Sequence, residues 1–178
     1  MKKQFLALLC TFAMNSIVIA DDLETYLKAK EAEIDTAPKR KNEAQAVASF
    51  RKAAEQGDAK AQVNLGNMNA DGKGIARDEA KAVTWYRKAA EQGDAIAQYN
   101  LGIAYTKGEG IVKDEVQAVA WFRKAAKQGL SYAQYNLGVS YLEGKGITKD
   151  EAQAVAWFRK AAEKGDSDAQ ANLKQLSK

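Results

Sequence analysis

The side chains most often used for catalysis are scarce in this chain. It contains no histidine, and its one cysteine, Cys10, sits in an apolar stretch near the start. Zinc sites therefore lack their usual ligands, and a general base near neutral pH would have to be a Glu, Asp or Lys with a strongly shifted pKa. No cluster of such residues suggests one. One spacing has nucleophilic potential, since Ser49-Phe50-Arg51-Lys52 puts a hydroxyl and an amine three residues apart. Gly72-Lys73-Gly74, Gly108-Glu109-Gly110 and Gly144-Lys145-Gly146 have the composition of phosphate cradles, but they follow helical patterns and recur in every unit, as turns do. Trp85, Trp121 and Trp157 could stack sugars or bases, and Arg87-Lys88, Arg123-Lys124 and Arg159-Lys160 could form a basic ridge. Their regular recurrence favours packing between units for the tryptophans and a solvated face for the cations.

That recurrence defines the elements. Leu65, Leu101, Leu137 and Leu173 stand in steps of 36, as do Gly57, Gly93, Gly129 and Gly165. Each unit reads as two helices separated by a glycine-rich loop and closed by a glycine. The pattern predicts a first helix over about Ala95 to Lys107, with Ala97, Leu101 and Tyr105 on its buried face. It predicts a second helix capped by Asp114, with Gln117 as capping-box partner and Ala118, Phe122 and Ala125 as its apolar stripe; Asp78 and Asp150 repeat the cap. Gly66, Gly102 and Gly138 each cost about 1 kcal/mol against Ala inside a helix, so a neighbour must approach their backbones closely. The equivalent residue in the last helix is Lys174, which suits a capping helix. The expected division is a signal peptide over 1–20, a diverged first repeat over 21–57, repeats over 58–93, 94–129 and 130–165, and a capping helix over 166–178.

The first segment has the layout of an export leader: Lys2 and Lys3, an apolar run from Phe5, and Val18-Ile19-Ala20 before Asp21 and Asp22. It is shorter than the roughly 20 apolar residues of a membrane span and is interrupted by Asn15 and Ser16. Cleavage after Ala20 predicts a periplasmic or secreted protein without stable membrane insertion. Such a protein has no thiol and depends on helix packing rather than disulfides. Of the 27 basic residues, Lys2 and Lys3 go with the leader, leaving 25 against 23 acidic ones. That balance argues against a nucleic-acid partner. In the diverged repeat, Leu23 to Ile34 and Glu43 to Gly57 keep the helical frame around Pro38 and Lys39-Arg40-Lys41.

AQYNLG, Gly-x-Gly-Ile, Lys-Asp-Glu and AVAWFRKAA with a closing Gly together resemble the Sel-1-like repeat, a longer relative of the tetratricopeptide repeat. The resemblance covers nearly all of Asn42 to Gln175. It implies an all-α, right-handed superhelical solenoid of stacked antiparallel helix pairs, with the first helices lining the concave face and a usual role as adaptor or scaffold. A cysteine-rich branch of that family is described as binding or hydrolysing beta-lactams, and Ser49 to Lys52 spells the S-x-x-K of penicillin-recognising enzymes. This chain departs from that branch at every cysteine and has neither S-D-N nor K-T-G. No catalytic residue, metal or cofactor is expected.

The best candidate site is the side of the first helices opposite the buried stripe. Ile96, Tyr99, Ile103 and Thr106 reach it in one unit, and Tyr132, Tyr135, Val139 and Leu142 in the next. Such a mostly apolar face, left partly exposed, marks a contact surface. The preceding unit offers Lys60, Val63, Asn67 and Ala70, so the groove grades from polar to apolar. Asn100 and Asn136 belong to a ladder with Asn64 and Asn172 that either holds a ligand's backbone, as in clamp-type tetratricopeptide binders, or bonds an adjacent helix. The expected partner is a peptide or protein. The alternatives in different classes are a beta-lactam-binding or beta-lactamase-like protein related to the cysteine-rich branch, and a secreted host-interaction factor. Oligomeric state is not legible in these residues.

Overall fold

The computed structural model describes residues 41–177, in which the chain forms helices joined by short turns, with no strand among the described residues. They are α1 (41–55), α2 (Ala59–Asp71), α3 (Glu79–Glu91), α4 (Ala95–Lys107), α5 (Glu115–Lys127), α6 (Ser131–Glu143), α7 (Glu151–Glu163) and α8 (Ser167–Leu176). The expected leader and the segment Leu23 to Ile34 lie outside the described residues. Lys41, expected in the loop, is already helical. Within the unit that begins at Ala44, α2 packs on α3, α4 on α5 and α6 on α7, and each pair rests on the next through α3–α4, α5–α6 and α7–α8. The result is a solenoid of stacked helix pairs, and α4 has the bounds the repeat pattern predicts.

The helix ends follow from their residues. Asp58, Asp78, Asp94, Asp114, Asp150 and Asp166 each accept a hydrogen bond from the backbone N–H three residues on. Leu130 takes this position in α6 without a side-chain cap, and instead packs half-buried against the core. The predicted capping box differs in one respect. The N–H of Asp114 donates to the Tyr105 carbonyl at 3.0 Å, as Asp78 does to Asn69 and Asp150 to Tyr141. Tertiary contact with the preceding helix thus uses the donor that a Gln117 side chain would have satisfied.

The core is a ladder of small residues and rings. Ala97, Leu101, Ala125, Ala133, Leu137 and Phe158 are fully buried. A Cβ on Gly66 would lie 2.5 Å from the Tyr86 ring, one on Gly102 2.6 Å from Phe122, and one on Gly138 2.7 Å from Phe158. The close approach inferred from these glycines is the seating of one aromatic ring per pair. Gly110 and Gly146 have positive φ and lie against backbone, where an added Cβ would fall 2.3 Å from Glu79 and 2.1 Å from Glu115. These loops are turns, as expected, and each also sits on the first turn of the preceding unit's second helix.

A second ladder joins the units through amides. Gln62 and Gln98 donate to the carbonyls of Ala54 and Ala90, and their own side-chain oxygens accept from Gln92 and Gln128, at 2.8 Å each. Gln134 repeats the first bond, to Ala126. Lys164 then stands where Gln92 and Gln128 stood, and Gln134 Oε1 is buried without a hydrogen-bond partner among the described residues.

Candidate functional site

The predicted groove residues fall into two groups. Ile96, Thr106 and Tyr132 are exposed, with Tyr132 at 63% and Ile96 at 51%. Tyr99, Asn100, Ile103, Tyr135, Asn136, Val139 and Leu142 are half-buried. Tyr99 lies with its ring centroid 5.9 Å from Phe122, and Tyr135 lies 5.7 Å from Phe158. These tyrosines therefore rest on the rings that the core glycines admit, which the expectation of a face turned away from the core did not anticipate. An i, i+4 stripe gives the direction of a side chain, but not how far the neighbouring helix reaches beneath it.

The structure brings Tyr99, Tyr132, Tyr135 and Asn136 together. Tyr99 and Tyr132 are tilted by 40° with centroids 6.2 Å apart. With Ser131, Lys164 and the start of α8 they line an open recess of about 370 Å³. Burial pushes the Tyr99 hydroxyl above its ordinary pKa; a hydrogen bond with Asn136 acts against this, and the negative charge of Asp166 acts with it. Two smaller recesses recur one unit apart. One, of about 110 Å³, includes Asn100 and Ile103; the other, of about 120 Å³, includes Thr106, Asn136 and Val139.

The asparagine ladder bonds neighbouring helices at two steps. Asn100 donates to Asn67 at 3.2 Å, and Asn172 lies 3.5 Å from the Tyr135 hydroxyl. Asn136 instead donates to the Tyr132 carbonyl of its own helix, and Asn64 is exposed. Thr106 donates to the Gly102 carbonyl.

The residues with catalytic or basic potential have structural occupations. Ser49 is exposed and donates to the Gln45 carbonyl in its own helix. Lys88, Lys124 and Lys160 lie over the rings of Trp85, Trp121 and Trp157 at 4.4, 3.7 and 4.1 Å. The tryptophans pack against the core, as expected, but only half-buried, and the lysines lie on their rings. Arg87 donates to the Tyr105 hydroxyl at 3.2 Å and Arg123 to that of Tyr141 at 3.5 Å, tying each second helix to the next unit. No group of His, Cys, Asp and Glu suited to a metal ion occurs among the described residues. No helix among the described residues is long and apolar enough to cross a membrane.

The Sel1 repeat profile matches residues 37–58, 59–94, 95–130 and 131–166. The chain belongs to the Sel1 repeat family. Sel1-repeat proteins are generally protein-interaction modules, and the fold is generally a non-enzymatic scaffold. Among solved structures, the chain is similar to a Sel1 repeat protein from Oxalobacter formigenes, at 41% identity and a TM-score of 0.71, over 79% of this chain and 57% of that one. It is also similar to c5321, a protective antigen present in uropathogenic Escherichia coli strains, at 45% identity and a TM-score of 0.67, over 67% of this chain and 26% of that one. Helicobacter pylori cysteine rich protein B shares 28% identity with a TM-score of 0.62, over 78% of this chain and 99% of that one. The chain thus spans about a quarter of the Escherichia coli protein and little more than half of the Oxalobacter one. No curated protein matches it.

Proposed function

We propose that this Sel1 repeat protein is an exported adaptor that seats a peptide or protein segment against the first helices of its units, in the groove floored by Tyr99, Tyr132 and Tyr135. The observation that carries the reading is Tyr132. It is a large aromatic side chain, 63% exposed, beside a recess whose other rings are held from below by Phe122 and Phe158. Aromatic anchors of this kind supply most of the binding energy at interfaces, and the two rings held from below have little ordering entropy left to lose on association. The balanced charge of residues 21–178 fits a protein partner better than a nucleic acid.

A photo-crosslinking residue placed at position 132, and in a second variant at Lys124, tests the groove. Specific adducts from envelope extract at 132 that disappear on Tyr99→Ala, with none at 124, support it. Adducts confined to 124 would move the binding surface to the second helices. Export rests on residues 1–20, and its test is the intact mass of the protein recovered outside the cytoplasm. A product beginning at Asp21 and carrying no thiol is expected, and a product retaining Cys10 overturns the leader assignment.

A further inference from the structure

The recess beside Tyr132 differs from its counterparts elsewhere in the array. One unit earlier, Ile96 and Tyr132 stand in place of Tyr132 and Asp168, and Leu130 in place of Asp166. Two units earlier, the Tyr132 position is Lys60 and the Tyr99 and Tyr135 position is Val63. Three tyrosines and two carboxylates therefore meet at one step only, and the residues that make this combination are those in which the units differ.

The geometry points to a cationic side chain, an arginine or lysine of the bound segment, seated between Tyr99, Tyr132 and Tyr135 and facing Asp166 and Asp168. This rests on the groove reading given above and names the chemistry of its ligand. The tilted Tyr99 and Tyr132 rings both line one open recess with Tyr135, and a cation over the face of such a ring is attracted by its quadrupole. Tyr99 and Tyr135 are held from beneath by Phe122 and Phe158, so two of the three rings are fixed before a ligand arrives.

The carboxylates supply the counter-charge. One oxygen of Asp166 caps α8 by accepting from the N–H of Ala169. Asp168 has no ion-pair partner among the described residues. Two features oppose a cation. The start of α8 carries about half a positive charge, and Lys164 lines the recess, its Nζ lying 2.9 Å from where a Cβ on Gly129 would be. Lys164 lies over the Gly129 turn, and the two full negative charges at the first turn of α8 exceed its one positive charge and the roughly half charge of the helix end together. An anionic group would have to approach both carboxylates.

The test is a titration of the isotopically labelled purified protein, followed by amide shifts, with three probes. These are N-acetyl-arginine methylamide, its norleucine analogue of similar reach without charge, and its glutamate analogue. The arginine probe is expected to move the amides of Ser131 to Asn136 and of Asp166 to Asp168, with norleucine and glutamate at least tenfold weaker. Tyr132→Ala should remove these shifts. Asp168→Asn should weaken arginine several-fold, and Lys164→Gln should strengthen it. Far-ultraviolet dichroism and melting of each variant separate lost binding from lost fold. Equal binding of arginine and norleucine, preference for glutamate, or the absence of shifts at both segments overturns the cationic proposal. The groove reading stands or falls separately, on crosslinks at position 132 against those at 124.

Discussion

At the α2–α3 step Val63 occupies the position that Tyr99 and Tyr135 hold further along, and Tyr86 occupies that of Phe122 and Phe158. The phenol of the first step therefore lies in the core, 8% exposed, with its hydroxyl donating to Asn67 at 2.8 Å. Ile103 and Val139 replace Asn67 at the later steps, where no buried hydroxyl needs a partner. At these two positions the phenol thus lies under the groove at one end of the array and on it at the other. The comparison shows how a repeat changes its surface without changing its backbone: three positions vary together, so that the buried Tyr86 hydroxyl keeps a partner.

The comparison breaks most severely at the ring shared by core and groove. Phe122→Ala should cost about 3 to 5 kcal/mol, because it empties a fully packed site and also undermines Tyr99. Urea unfolding with unchanged m-value checks this, and a cost under about 1 kcal/mol would mean that the ring is not the shared support.

Tyr86→Phe should cost only about 1 kcal/mol at neutral pH, because Asn67 still accepts from Asn100. Its clearer signature is alkaline. Burial pushes the Tyr86 hydroxyl up to about 12, above its ordinary value, so its contribution to stability is fully present below about pH 10 and is lost as pH rises through 12. Melting from pH 9 to 12 should fall less steeply in Tyr86→Phe than in the unaltered protein. Parallel curves would contradict the buried placement.

Tyr132→Ala sharpens the contrast from the other side. This ring is largely exposed, so melting should change by no more than about 0.5 kcal/mol in free-energy terms while affinity for the arginine probe falls at least tenfold. A modest gain is expected for Lys164→Gln, which would restore the amide partner that Gln134 lacks and add roughly 0.5 to 1 kcal/mol of stability. A destabilised variant would show that Lys164 has a packing role at Gly129.

Much of this architecture was legible in the sequence because it is written periodically. The helix bounds, the aspartate caps and the need for a close neighbour at Gly66, Gly102 and Gly138 follow from residues that recur every 36 positions. Contacts between units were not, because periodicity says which positions are equivalent and not what each touches. Tyr99 and Tyr135 read as surface residues, yet half of each ring belongs to the core. The glutamine ladder joins residues 30 apart on different helices, and no local pattern announces it. Gly110 and Gly146 read as ordinary turn glycines, because a helix end approaching from the preceding unit leaves no trace near them. Within the candidate site, the tyrosines and Asn136 were legible from one helix face. Asp166 and Asp168 were not, since they enter from the start of α8, a segment set aside as a cap.

The seating of Gly110 on Glu79 and of Gly146 on Glu115 has an evolutionary consequence. Backbone lying on backbone at these points sets the spacing between successive units independently of any exposed side chain. Outward-facing residues are then free to drift, unit by unit, without altering curvature, and neighbouring units can be duplicated or exchanged as cassettes that arrive already in register. A lineage can therefore acquire new binding specificities at the pace of surface mutation, while replacement of either glycine by a residue with a side chain would be selected against in every copy alike.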